Sequence, residues 1–160
     1  MPVRDEILTA NRRFSQAFDP GSFAILPARK FAVVTCMDAR LDPARFLGLR
    51  VGDAHVVRNA GGIVTADALR SLVISHHLLG TEEALVIAHT DCAMTKFSND
   101  ELRGRLGGEA DDVDFLPFPD PAARVRASLR TIEESPPLPE SYRAAGFVYD
   151  VVSGELSPVA

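Results

Sequence analysis

With 160 residues, 46% of them hydrophobic, the chain is long enough for one domain with a proper core and short for two. A formal net charge of −5, with no basic block, argues against nucleic acid as the main partner. No apolar stretch approaches the ~20 residues needed to span a membrane, and the start, Met1-Pro2-Val3-Arg4-Asp5-Glu6, is charged where a secretory signal turns apolar, so the expected location is cytoplasmic.

Residues 3–18 set Ile7, Leu8, Phe14 and Phe18 among charged side chains, the pattern of an amphipathic helix closed by Asp19-Pro20-Gly21. Residues 30–36 and 83–88 are near-continuous apolar runs, as expected of strands covered on both faces of a parallel sheet. Between them His55-Val56-Val57-Arg58 reads as a shorter strand, and Asn59-Ala60-Gly61-Gly62 as a loop whose missing side chains allow close backbone approach. Thr65 is the expected N-cap of a helix through Ala68, Leu69, Leu72, Val73 and Leu79, which Gly80 ends. Residues 99–106 suggest a short helix and 107–121 an acidic, Pro-containing loop. Residues 122–134 carry Val125, Leu129 and Ile132 at helical spacing until Ser135-Pro136-Pro137-Leu138-Pro139 breaks them. At the end, 147–152 and 155–159 flank Ser153-Gly154, a hairpin signal.

Strand, helix and strand in that order predict an α/β fold: a central, mostly parallel β-sheet flanked by helices, with a C-terminal antiparallel edge hairpin. A single domain is expected over residues 1–160. In such sheets the ligand sites lie beyond the carboxyl ends of the strands.

Two polar clusters fall at those ends. Cys36-Met37-Asp38-Ala39-Arg40 follows the first apolar run, and His89-Thr90-Asp91-Cys92 follows the second. If extension continues past residue 36, Cys36, Asp38 and Arg40 project toward one side, so a thiolate, a carboxylate and a guanidinium share a cleft. If 89–92 turns into a helix, Cys92 at its N-terminus is favoured as a thiolate. Two thiolates and one imidazole make a zinc site with its fourth position left over, the arrangement of a catalytic metal. The competing explanations are a structural zinc, for which neither cluster offers a fourth Cys or His, ordinary buried thiols, and a disulfide, which nothing about the chain's expected compartment favours.

The chain resembles the β-class carbonic anhydrases, in their short branch. The resemblance is carried by Cys36-Met37-Asp38-Ala39-Arg40, by Gly52-Asp53-Ala54-His55-Val56-Val57-Arg58-Asn59-Ala60-Gly61, by Ser71-Leu72 with Leu79-Gly80, by His89-Thr90-Asp91-Cys92 and by the closing Gly146-Phe147-Val148-Tyr149-Asp150-Val151. It implies zinc held by Cys36, His89 and Cys92, with Asp38 and Arg40 as paired catalytic gate residues and Asp38 itself a ligand only if the site is closed. It also implies an obligate homodimer in which the N-terminal helix, within residues 1–20, packs on the partner. The chain departs from the usual pattern at Ala93, where Gly is common, and at Ala39, where Ser is common.

The implied activity is reversible hydration of carbon dioxide to bicarbonate through a zinc-bound hydroxide, since zinc lowers the pKa of bound water from ~15.7 toward ~7. Two thiolates donate more charge than three imidazoles, so that water should be less acidic than at a tris-histidine zinc. Asp38 would receive the hydroxide's hydrogen bond and Arg40 would keep Asp38 ionised. Hydrolysis of carbonyl sulfide or carbon disulfide at the same zinc is the nearest alternative, and a non-catalytic zinc or bicarbonate-binding protein is the alternative from another class. His76 and His77 are expected to be packing or surface residues, and His55 a structural one. The resemblance makes Asp53, Arg58 and Asn59 part of the active-site wall or dimer seam, and a loop-fixing hydrogen-bond network is an equal reading; Asp91 reads as an acceptor at a helix N-terminus or a support that orients a metal ligand, not as a catalytic group.

Overall fold

The computed structural model describes residues 2–19, 21 and 24–160. Five strands, β1 (Phe31–Cys36), β2 (Ala54–Asn59), β3 (Glu83–His89), β4 (Arg143–Tyr149) and β5 (Leu156–Val159), form one sheet in the order β2-β1-β3-β4-β5. The first four are parallel neighbours, and β5 closes the edge antiparallel to β4. The α-helices are α1 (Val3–Gln16), α2 (Pro43–Phe46), α3 (Ala66–His77), α4 (Asn99–Arg105) and α5 (Pro121–Glu133).

Alternation along β1 explains the layering. Ala32 and Val34 face one side, where Leu72 of α3 and Val125 and Ile132 of α5 cover them, while Phe31 and Val33 face the other with Ile87. All six residues of β1 are buried, as a central parallel strand demands. The second face is covered by Phe46, Leu47 and Leu49 and less completely, because Leu85, Phe147 and Leu156 stay partly exposed. Helix α5 lies so close to β4 that a Cβ at Gly146 would collide with Val125 and Leu129. The predicted α3 is borne out, its N-cap Thr65 Oγ1 accepting from Ala68 N at 3.3 Å. Ser98 and Glu101 close a reciprocal capping box at the start of α4.

The structure differs from the sequence-based expectation in three places. Strand β4 begins at Arg143, four residues before the expected 147, because Arg143-Ala144-Ala145-Gly146 is too small and too weak in β propensity to read as a strand yet fits under α5. Asp150, Val151 and Val152, expected in the strand, form the turn, with Asp150 Oδ1 accepting from Val152 N at 2.7 Å and Ser153 N at 2.9 Å. Helix α2 was not expected, although Asp42, whose carboxylate caps Arg45 N, followed by Pro43 at the first helical position is a start signal. Of the expected helix stop Asp19-Pro20-Gly21, Pro20 lies outside the described residues.

Candidate metal centre

The sheet order fixes where a ligand can bind. The chain leaves β1 toward β2 on one side and β3 toward β4 on the other, so a crevice opens between the carboxyl ends of β1 and β3. Cys36 is the last residue of β1 and His89 the last of β3. The Ala60–Gly62 turn packs directly against Cys36: a Cβ at Gly62 would stand 2.8 Å from Cys36 N and 2.9 Å from the Thr35 carbonyl carbon, and its φ of +65° is itself unfavourable for other residues. Asn59 clamps that turn, donating to Ile63 O at 2.7 Å and accepting from Ile63 N at 2.9 Å. Arg58 Nε donates to Cys36 O at 2.9 Å and Nη2 to Asp38 O at 2.7 Å. Arg58 and Asn59 therefore fix the loops that carry the site, and Asp53, accepting from Arg50 N at 2.9 Å, fixes a turn before β2.

The ligand atoms of Cys36, His89 and Cys92 all lie within 4.8 Å of one another, the one such cluster found among the described residues. Both thiols are free and buried, with their sulfurs 4.0 Å apart. The imidazole is buried completely; Nδ1 sits 2.9 Å from Thr90 O, which fixes the proton there, and Nε2 has no hydrogen-bond partner. An orphaned buried acceptor between two soft sulfurs is what a zinc ion requires, so the residues fit the metal.

Asp38 and Arg40 meet beside this cluster. Arg40 Nε donates to Asp38 Oδ1 at 3.0 Å and Nη2 to Oδ2 at 2.8 Å, and Arg40 N adds a further bond to Oδ1 at 2.9 Å. These bonds hold the Asp38 carboxyl well below the usual carboxylate range. Its Oδ2 lies 3.8 Å from His89 Nε2, at the edge of the convergence point. Asp91 takes the other edge of Arg40, accepting from Nη1 at 2.9 Å through its carboxylate and from Nη2 at 2.9 Å through its carbonyl. A small, mostly apolar cavity of about 70 Å³ is lined by both cysteines and by Met37, Ala60, Gly61, Ala93 and Met94, with Asp38 as its charged member.

Several expectations need revision. Cys92 does not begin an α-helix: a single 3-10 turn, Ala93–Thr95, follows it, so no macrodipole favours its thiolate. Instead the hydrogen bond it shares with Cys36, together with burial, pushes the Cys92 thiol up, while the same hydrogen bond draws Cys36 down to about 4. His76 and His77 are the last two residues of α3, with Nδ1 of His76 2.6 Å from Thr81 O and Nε2 of His77 2.6 Å from Pro137 O. His55 Nδ1 pairs with Ser75 Oγ at 2.7 Å. All three imidazoles serve structural contacts. Lys96, 3.1 Å from Asp91, was missed because nothing in the sequence marks a lysine four residues past a ligand as part of the site.

A carbonic anhydrase family model matches residues 31–113 of the chain, from the start of β1 to beyond α4. The chain is 41% identical to β-carbonic anhydrase 1 of Mycobacterium tuberculosis, covering 99% of each sequence. It is 32% identical to a carbon disulfide hydrolase of an Acidianus species, over 80% of this chain and 76% of that protein. Among solved structures, a carbonic anhydrase from Streptococcus mutans superposes with a TM-score of 0.94 at 41% identity, covering 100% of this chain and 99% of that one. With its sheet order, its Cys-His-Cys cluster and these likenesses over nearly its whole length, the chain belongs to the β-carbonic anhydrase family.

Proposed function

We propose that the protein catalyses the zinc-dependent, reversible hydration of carbon dioxide to bicarbonate. The observation that carries this is the buried Cys36, His89 and Cys92 cluster, whose imidazole Nε2 lacks any protein partner, beside a carboxylate engaged by arginine. Those three residues would hold the metal. When bound, zinc supplies the Lewis acidity that brings the pKa of water from ~15.7 toward ~7. Asp38, ionised and held by Arg40, would accept a hydrogen bond from a water at the site and orient it toward the substrate carbon. Arg40 keeps Asp38 ionised and holds its carboxylate in two charge-assisted bonds, which would leave a bound metal open to water. A metal carrying two thiolates is already formally neutral, so Asp38 gains less by binding it than by keeping two charge-assisted bonds to Arg40. The mostly apolar cavity lined by the two cysteines suits a small linear molecule without charge.

Carbon disulfide is the alternative substrate, on the strength of the likeness to the Acidianus carbon disulfide hydrolase, and carbonyl sulfide is the intermediate analogue between it and carbon dioxide. Assays of one zinc-loaded preparation with carbon dioxide and with both sulfur compounds decide between them. Turnover is expected with carbon dioxide, and inertness toward all three would leave a zinc or bicarbonate-binding protein. Arg40→Ala is expected to keep one zinc per chain and lose turnover as Asp38 takes the fourth position. Asp38→Ala should lose turnover as well. Wild-type turnover in both variants with full zinc would show that the pair is not a gate.

The functional unit in this reading is a homodimer of single domains over residues 1–160. Helix α1 has no buried residue and leaves Val3, Ile7 and Phe14 more than half exposed, an apolar stripe that a second copy would cover. A cytoplasmic setting suits a site whose two thiols must stay reduced to bind metal.

A further inference from the structure

With Asp38 and Arg40 read as a gate, we propose that Asp91 is the positioning residue that clamps Arg40 in place and so keeps Asp38 off the metal. Arg40 is engaged along both edges of its guanidinium. Nε and Nη2 serve Asp38 on one side, while Nη1 and Nη2 serve the Asp91 carboxylate and carbonyl on the other. A half-exposed arginine paired only with a carboxylate two residues away would lose little by swinging into water. Asp91 removes that freedom, because it belongs to the opposite strand end, between the ligands His89 and Cys92.

The backbone at Asp91 bears out a positional demand. Its φ of +52° is left-handed, a conformation aspartate and asparagine tolerate better than most residues and one that recurs at functional sites. There, one residue presents both its carboxylate and its carbonyl to a single guanidinium. Lys96 Nζ, 3.1 Å from Asp91 Oδ1, anchors the carboxylate from outside. The chain of contacts thus runs from Lys96 through Asp91 and Arg40 to Asp38, joining the ends of β3 and β1.

The test uses Asp91→Gly, which removes the side chain while relieving the left-handed backbone, and Asp91→Asn, which retains the backbone tolerance and one acceptor. Each is measured as zinc enzyme for kcat and KM, and as cobalt(II)-substituted protein, whose visible absorption reports the fourth ligand. Asp91→Gly should keep one metal per chain, lose about tenfold in kcat, and shift the cobalt spectrum in the direction that Arg40→Ala shifts it. Asp91→Asn should fall between. In an Arg40→Ala background, Asp91→Gly should add no further loss. Wild-type kcat and spectrum in Asp91→Gly, a full additional loss in the Arg40→Ala background, or loss of the metal would each overturn the proposal, the last by assigning Asp91 to the support of Cys92. If Arg40→Ala itself leaves kcat and spectrum unchanged, the gate is wrong and the role of Asp91 falls with it.

Discussion

The carboxyl ends of β1 and β3 and the helix α1 are opposites in how their side chains are satisfied. At the strand ends Cys36, His89 and Cys92 are 4%, 0% and 1% exposed and packed with Leu41, Ile63, Met94 and Phe118, so a single chain supplies the whole surround of the metal ligands. Helix α1 buries nothing, with Ile7 61% and Phe14 62% exposed. The first region is finished by its own fold. The second carries an apolar stripe that no other described residue of the chain covers, and its burial by a second copy is the part of the proposed function left to test.

The hardest blow to the finished region is Cys92→Ser. Losing even an outer hydrogen-bond partner of a metal ligand costs ~10–100-fold in affinity, and losing the thiolate itself should exceed that, leaving little zinc after gel filtration. Full zinc by mass spectrometry in this variant would refute the ligand assignment. The unfinished region should respond to Ile7→Glu with Phe14→Glu: each exposed apolar group, if buried by a partner, contributes ~1.5–3 kcal/mol, and a homodimer contains each substitution twice, so self-association should weaken by at least about four orders of magnitude. Zinc content should not change. Unaltered sedimentation of the double variant would remove α1 from any interface.

A smaller effect follows from the protons that zinc must displace. In the metal-free site the hydrogen bond between the two thiols draws Cys36 down and, with burial, pushes Cys92 up, so near neutral pH the pair holds one proton. Burial alone would lower His89, but Cys36, the Thr90 carbonyl and Asp38 together outweigh it and the imidazole is raised. Zinc binding releases these protons, so affinity must rise with pH. Chelator competition should show about one decade per pH unit where His89 is neutral, steepening where His89 becomes protonated. A flat profile would mean both thiols are already ionised without metal.

The sequence by itself determined the sheet strands at 30–36 and 83–88, because burial on both faces leaves mostly apolar residues there, and it marked Cys36, His89 and Cys92 as the candidate metal ligands, through Cys and His at two strand ends and the resemblance they carry. It also exposed α1 as amphipathic, since period and charge are local properties. The tertiary structure alone decided the rest. The start of β4 at Arg143 depends on α5 lying over Gly146, a contact no local pattern encodes. The double hold on Arg40 needs Asp91, fifty-one positions away, brought to 2.9 Å by the parallel pairing of β1 with β3. The opposite shifts of Cys36 and Cys92 turn on burial and on two sulfurs brought 4.0 Å apart, while the 3-10 turn after Cys92 supplies no helix N-terminus to oppose them. Local composition names the groups that can do chemistry, but their charge states depend on what the fold sets against them.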